Sequence, residues 1–312
     1  MAALVTHAGL PMSEPMAFGL ASALSFAYIP IIKVGGLPLV AYRTIPRAII
    51  RRLDSLLGLD LKAETFRRPA QGAARLDVLL EEGCVLGMQT SAFWLPYFPE
   101  DLRFHFNVHN VIAFGRDGDD YLLSDPVFEE TVRCPGPDLS KARFAKGLMA
   151  PKGLLYRIRE APREPDWNDL LPRAIRRTCR TMLAPVPFAG VRGIRYLARA
   201  VERLETGGDG SASRLFLGHL VRMQEEIGTG GAGFRFIYAA FLQEAAALAE
   251  RPALLPLADD LVAIGDQWRE LALASAMMIR GRQPLDPPRI AALLRTQADR
   301  EEAFFRTLGA SL

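Results

Sequence analysis

The residues best placed to do chemistry are a histidine that opens one β-rich run and an aspartate that closes the next. The stretch VHNVIAFGRDGDDYLLSDP, residues 108–126, holds two such runs, NVIAFG and DYLLSD, separated by RDGD. Asp-Gly favours a tight hairpin turn because Gly tolerates positive φ. Closing that hairpin brings His109 and Asp125 within reach of a hydrogen bond. A carboxylate beside an imidazole fixes the ring tautomer and leaves the second nitrogen free to act as a base. A histidine beside a hairpin is also a common structural feature, so the pairing alone does not decide between the two readings.

Other residues offer competing chemistry. Gln89 and Thr90 in GMQTSAFWLPY follow a buried strand, where polar groups can line a substrate pocket with Trp94 and Tyr97 as its wall. The alternative there is a surface loop with aromatic packing. GTGGAGFR, residues 228–235, leads into the helix FIYAAFLQEA. Backbone amides at a Gly-rich helix start can hold a phosphate or carboxylate, with Arg235 beside it; a plain interhelix loop is the alternative, and Tyr238 in the following helix is either a substrate contact or a core residue. The arginine-rich RAIRRTCR could face an acidic carrier protein or simply be a solvated helix face. His105 and His109 are four apart on an extended segment, on one face but not at ligand spacing, and no third ligand is evident, so no metal is expected. His7 and His219 read as structural.

The three cysteines, Cys84, Cys134 and Cys179, form no CxxC pair, which argues against a disulfide framework or structural zinc and makes a reducing cytoplasm the simplest compartment. Cys84 opens a buried strand, where a small apolar side chain is the plain reading. Cys134 in VRCPG reads as a surface turn. Cys179 lies among arginines that would favour a thiolate, yet has no adjacent histidine. None of the three is expected to be a nucleophile.

Around these residues the chain of 312 residues reads as two parts. Residues 1–160 mix helix and strand, an α+β pattern. A proline-rich, charged linker, REAPREPDWNDLLPR, follows, and residues 161–312 are helical almost to the end. Beyond the hairpin, the strands expected are IIKVGGLPLVAYR, broken at Gly35 and Gly36, CVLGMQT, and GLLYRI at 153–158. The uncharged run 15–32 is long enough to raise a membrane span, but Pro15, Gly19 and Pro30 interrupt it and no basic residue precedes it. It reads as a buried helix followed by an extended stretch. A net charge of +3 gives no electrostatic reason to expect nucleic acid or an anionic membrane as partner. The apolar helical half leaves room for a homodimer.

A resemblance adds to this reading. HNVIAFG, then Asp-Gly, then YLLSDP looks like the His and Asp-Pro strands of bacteriocin-leader peptidases and their papain-like relatives. LVTHAGLPMSEPMAFGLASALSFAYIP resembles the N-terminal domain of the butirosin biosynthesis protein H family, and GFRFIYAAFLQEA with GDQWRELA resembles the helical domain of unknown function that follows it there. The resemblance implies a papain-like cysteine-peptidase or acyltransferase fold followed by an all-α domain. It also implies acyl transfer in specialised metabolism. The donor would be an acyl carrier protein or CoA thioester, so a phosphopantetheine-linked group, and the acceptor a small-molecule amine. His109 would be the base and Asp125 its orienter. A peptidase or amidase on the same frame, and a non-catalytic ligand- or carrier-binding protein, are the alternatives. The family's nucleophile is a Cys in a His-Cys motif upstream of the position matching Gly9, and that motif is absent here. Two accounts stay open, a cysteine lying before Met1 and a degenerate member; the first is favoured, and residues 1–312 are expected to be inactive or severely impaired.

Overall fold

The computed structural model of the chain describes residues 1–104, 107–207, 209–227 and 230–312, so the reading of His105 and the first two residues of the glycine-rich run lie outside the described residues. In chain order the elements are α1 (Ala2–His7), α2 (Glu14–Leu20), β1 (Leu24–Val34), β2 (Leu37–Arg43), α3 (Pro46–Leu57), β3 (Leu61–Glu64), α4 (Pro69–Glu81), β4 (Leu86–Thr90), β5 (His109–Asp117), β6 (Asp120–Ser124), β7 (Val132–Pro135), α5 (Gly136–Arg143) and β8 (Leu155–Ile158). The remaining helices are α6 (Trp167–Met182), α7 (Gly190–Glu202), α8 (Ser211–Val221), α9 (Arg235–Leu248), α10 (Leu254–Ile279) and α11 (Pro287–Ala310). Helix and strand are mixed as far as β8, and the elements after it are all helical.

The chain forms two compact units, one of residues 1–12 and 53–164, the other of 13–52 and 165–312. This differs from a single cut near residue 160, because residues 13–52 join the helical half. The reason is apolar surface that their own neighbours in sequence cannot cover. In this second unit the uncharged run resolves into α2 and β1. Ser13 caps α2 by accepting from Met16 N (3.0 Å) and donates to the carboxylate of Glu244 on α9 (2.6 and 2.8 Å). Gly19 lies so close to Phe241 of α9 that a Cβ there would fall 2.0 Å from the ring. Phe26 of β1 and Tyr42 of β2 pack on the buried Trp268 of α10, with ring centroids 6.3 and 5.6 Å away.

In the first unit, six strands among the described residues form an antiparallel sheet in the order β3-β8-β4-β5-β6-β7. One face of it is covered by α4 and α5. Leu76 and Leu79 of α4, Leu86 and Met88 of β4, Val111 and Ala113 of β5, Leu123 of β6, Cys134 of β7 and Leu139 of α5 make one continuous core. Full burial of each Leu or Val side chain contributes roughly 1.5–3 kcal/mol. Cys134 is therefore a wholly buried strand residue and not part of a surface turn. Among the described residues no helix is long and apolar enough to cross a membrane.

Candidate active site

The site is built on the β5–β6 hairpin. Its turn is the two-residue loop Gly118–Asp119 between the paired Asp117 and Asp120, and Gly118 takes the positive φ (+61°) that the first position of such a turn requires. His109 is the first residue of β5 and is paired with Thr90 of β4, whose Oγ1 donates to the His109 carbonyl (3.2 Å). Asp125 follows the last residue of β6.

A bulge decides whether the two side chains meet. Near the turn the partners are Gly115↔Leu122 and Arg116↔Tyr121; beyond it they are Ala113↔Leu123 and Ile112↔Ser124, so Phe114 is an extra residue on β5. Continued without that slip, the first register would set Asp125 opposite Ile112, on the sheet face away from His109. The slip sets it opposite Val111, which shares a face with His109, because side chains alternate along a strand and one residue of shift exchanges the faces. Arg116 confirms the change of phase. It reaches the core side, where its guanidinium lies 5.1 Å from the Tyr121 ring centroid and 3.2 Å from Asp77 of α4.

The resulting geometry is tight. His109 Nε2 lies 2.7 Å from Asp125 Oδ2. The same Oδ2 accepts from the Tyr97 hydroxyl (2.9 Å), and Oδ1 accepts from the Val127 backbone N–H (2.9 Å) in an Asx-turn across Pro126. Asp125 is 1% exposed. Phe98 meets the imidazole edge-on at 5.3 Å, and Phe128 stands edge-on to both Tyr97 and Phe98. A carboxylate can only accept, so the imidazole proton sits on Nε2. Nδ1 makes no hydrogen bond among the described residues and is the nitrogen available as a base.

The other residues singled out in the sequence are placed differently. Tyr97 is bound to Asp125, so its hydroxyl belongs to the pair and not to a pocket wall. Trp94 is 37% exposed and lines a pocket of about 460 Å³ with Phe93, Pro96, Glu100, Arg103 and Lys141. The Lys141 ammonium stands 5.7 Å from the Trp94 ring centroid. Gln89 is buried, and its amide is spent on the carbonyls of Asn107 (2.6 Å) and Met149 (2.9 Å). It ties two loops together and offers no donor to a ligand.

Arg235 and Tyr238 lie wholly buried in the second unit. Arg235 gives Nε and Nη2 to the two oxygens of Glu301 (2.9 and 2.8 Å) and Nη1 to the Gly233 carbonyl (2.8 Å), over the ring of Trp268. With its fork filled it cannot bind an external anion. The glycine-rich loop does hold a carboxylate, but the chain's own. Ala232 N lies 3.2 Å from both oxygens of Glu225. Gly230 to Phe234 all have positive φ, and a Cβ on Gly233 would fall 2.2 Å from Tyr42, so this loop is over-determined by its packing.

Among the described residues, no hydrogen bond joins Cys84 or Cys134 to His109. Cys84 is partly exposed just before β4, its Sγ accepting from Arg157 Nη1 (2.9 Å). Cys179 is buried in the second unit despite its neighbouring arginines, and burial pushes its thiol up to about 12. Burial likewise pushes Cys134 up to about 12, and burial with a hydrogen bond to Asp77 takes Tyr121 to about 12. In the unfolded chain thiols ionise near 8.5 and phenols near 10. A raised folded value gives stability that is complete below the unfolded value and is lost as pH rises through the folded one. Urea midpoints are therefore expected to fall steadily between about pH 9 and 12. A midpoint that holds or rises across that window would contradict these placements.

No curated protein matches the chain significantly. Residues 1–126, which end one residue beyond Asp125, match the N-terminal domain of butirosin biosynthesis protein H, and residues 137–308 match the domain of unknown function DUF4872. The chain belongs to the family in which a butirosin biosynthesis protein H N-terminal domain is joined to DUF4872.

Proposed function

We propose that the first unit is a papain-like acyl-transfer domain, working in specialised metabolism, that moves an acyl or aminoacyl group from a carrier-protein or CoA thioester to a small-molecule amine. The observation that carries this is the imidazole held through Nε2 by a buried carboxylate, with Nδ1 left as a base. The family membership supports the biosynthetic setting.

In this reading Nδ1 takes the proton of a thiol, and the thiolate attacks the donor's thioester carbonyl. The tetrahedral intermediate expels the donor thiolate, which takes the proton back from Nδ1. The acceptor amine then displaces the acyl group in the same way, losing its proton to Nδ1 and forming the amide. General-base assistance of this kind contributes about 10²–10⁴-fold. The open pocket at Trp94 is the place for the donor arm or the acceptor.

Cys84 is bonded to Arg157 and Cys134 is buried in the sheet core, so neither is paired with the base, and that favours a second reading in which residues 1–312 bind donor or acceptor without turnover. One experiment separates the readings. Residues 1–312 are incubated with acyl-CoA thioesters and a small exogenous thiol, and thioester exchange is followed by mass spectrometry. The expected result is slow turnover without the added thiol, and with it an acceleration that His109→Gln abolishes. Cleavage of peptides or amides with no thioester exchange would point to a hydrolase. Saturable donor binding with no exchange would leave the binding reading.

A further inference from the structure

We propose that Tyr97 is a positioning residue of the His109–Asp125 pair: its hydroxyl is donated to the same Oδ2 that receives His109 Nε2, and so sets how the carboxylate faces the imidazole and how strongly it holds it. The inference rests on the reading of His109 as the base.

Three donors converge on Asp125. Oδ1 takes the Val127 N–H at 2.9 Å, and Oδ2 takes both the Tyr97 hydroxyl at 2.9 Å and His109 Nε2 at 2.7 Å. The first and last come from the hairpin and its exit, and these two bonds alone would let the carboxylate tilt with the chain after β6. Tyr97 arrives from a different part of the chain, the segment that leaves β4. It therefore ties Asp125 to a second support. Its ring is itself fixed, tilted at 5.3 Å to Phe98 and edge-on at 5.4 Å to Phe128.

Sharing an oxygen also has an electronic consequence. Each donor draws charge from Oδ2, so the tyrosine weakens that oxygen as an acceptor for Nε2–H. Burial, followed by the charge and hydrogen bond of Asp125, pushes the Tyr97 phenol far above its ordinary value. Tyr97 thus stays a donor over the whole range in which an imidazole exchanges protons. The arrangement holds the ring in the Nε2–H tautomer with a moderated grip, leaving Nδ1 to accept and then release a proton.

The test is the Nε2 proton resonance of His109 in the full chain, compared between the native protein and Tyr97→Phe. The ring is kept in that variant, so aromatic packing and ring currents are preserved. The expected result is a downfield move of the resonance, because Oδ2 then serves one donor. Tyr121→Phe, whose hydroxyl bonds Asp77 (2.7 Å), should leave it unmoved. Should Tyr97→Phe fail to fold, 3-fluorotyrosine at position 97, a stronger donor, is expected to move the resonance upfield. An unmoved resonance in either folded variant would overturn the role of Tyr97 while leaving the base reading intact. A native ring carrying its proton on Nδ1 would overturn the base reading itself, and the proposal with it.

Discussion

Replacing Asp125 with Asn is expected to reduce His109-dependent acyl transfer by about 10⁴-fold, the loss seen when the same change is made in a Ser-His-Asp triad. The geometry explains why so small a substitution matters. The Val127 N–H needs an acceptor, so the Asn oxygen takes the place of Oδ1. The amide NH₂ then faces Nε2 and the Tyr97 hydroxyl, where two donors had converged. An NH₂ can only donate, so Nε2 must lose its proton and Nδ1 must gain it. The base is then blocked while the side chain keeps its size and the fold its packing. Reversing the amide would oppose NH₂ to the Val127 N–H and leave both buried donors unmet, at roughly 1–3 kcal/mol. Thioester-exchange rates for the native chain and Asp125→Asn, with unchanged circular dichroism, check this. Equal rates would remove Asp125 from the mechanism.

Glu301→Ala is expected to destabilise the helical unit by about 3–5 kcal/mol, since it leaves a charged guanidinium buried without its partner. Arg235 and Glu301 have fully buried side chains and share two parallel hydrogen bonds, and Trp268 Nε1 also donates to Glu301 Oε1 (2.6 Å). Removing the carboxylate strands three donors together. Arg235→Met combined with Glu301→Leu should recover much of the loss, because desolvating an ion pair offsets most of its attraction. Urea denaturation of the native chain, Arg235→Met, Glu301→Leu and their combination measures the coupling. A single Glu301→Ala variant as stable as the native chain would mean that the pair is not buried as described.

How much of this was legible in the sequence depends on distance along the chain. The hairpin and the His109–Asp125 pairing were readable because both are local: two β-rich runs, one Asp-Gly turn, and polar residues at matching ends. The helices from α6 to α11 were readable from their apolar spacing. The bulge at Phe114 left only a faint trace, the isolated glycine at 115 inside a strand, and such a glycine does point to a bulge. The link from Tyr97 to Asp125 joins segments 28 residues apart through an irregular loop, and no periodicity reports it. Arg235 shows the same effect of distance. Beside a glycine-rich run it looked like a ligand-binding cation, while the carboxylate that neutralises it stands 66 residues away. β3, β7 and α5 were not anticipated, as they are only four to eight residues long and LKAE shows no burial alternation. Residues 13–52 could be recognised as apolar, but not that Phe241 and Trp268 would cover them.

Which nitrogen of His109 carries the proton is the point from which both the chemistry and the role of Tyr97 follow. Nitrogen-15 NMR of the selectively labelled imidazole, recorded on residues 1–312 at neutral pH, reads it directly. The expected spectrum has a protonated Nε2 and a bare Nδ1, with the two exchanged in Asp125→Asn. A proton on Nδ1 in the native chain, or a tautomer indifferent to Asp125, would contradict the account.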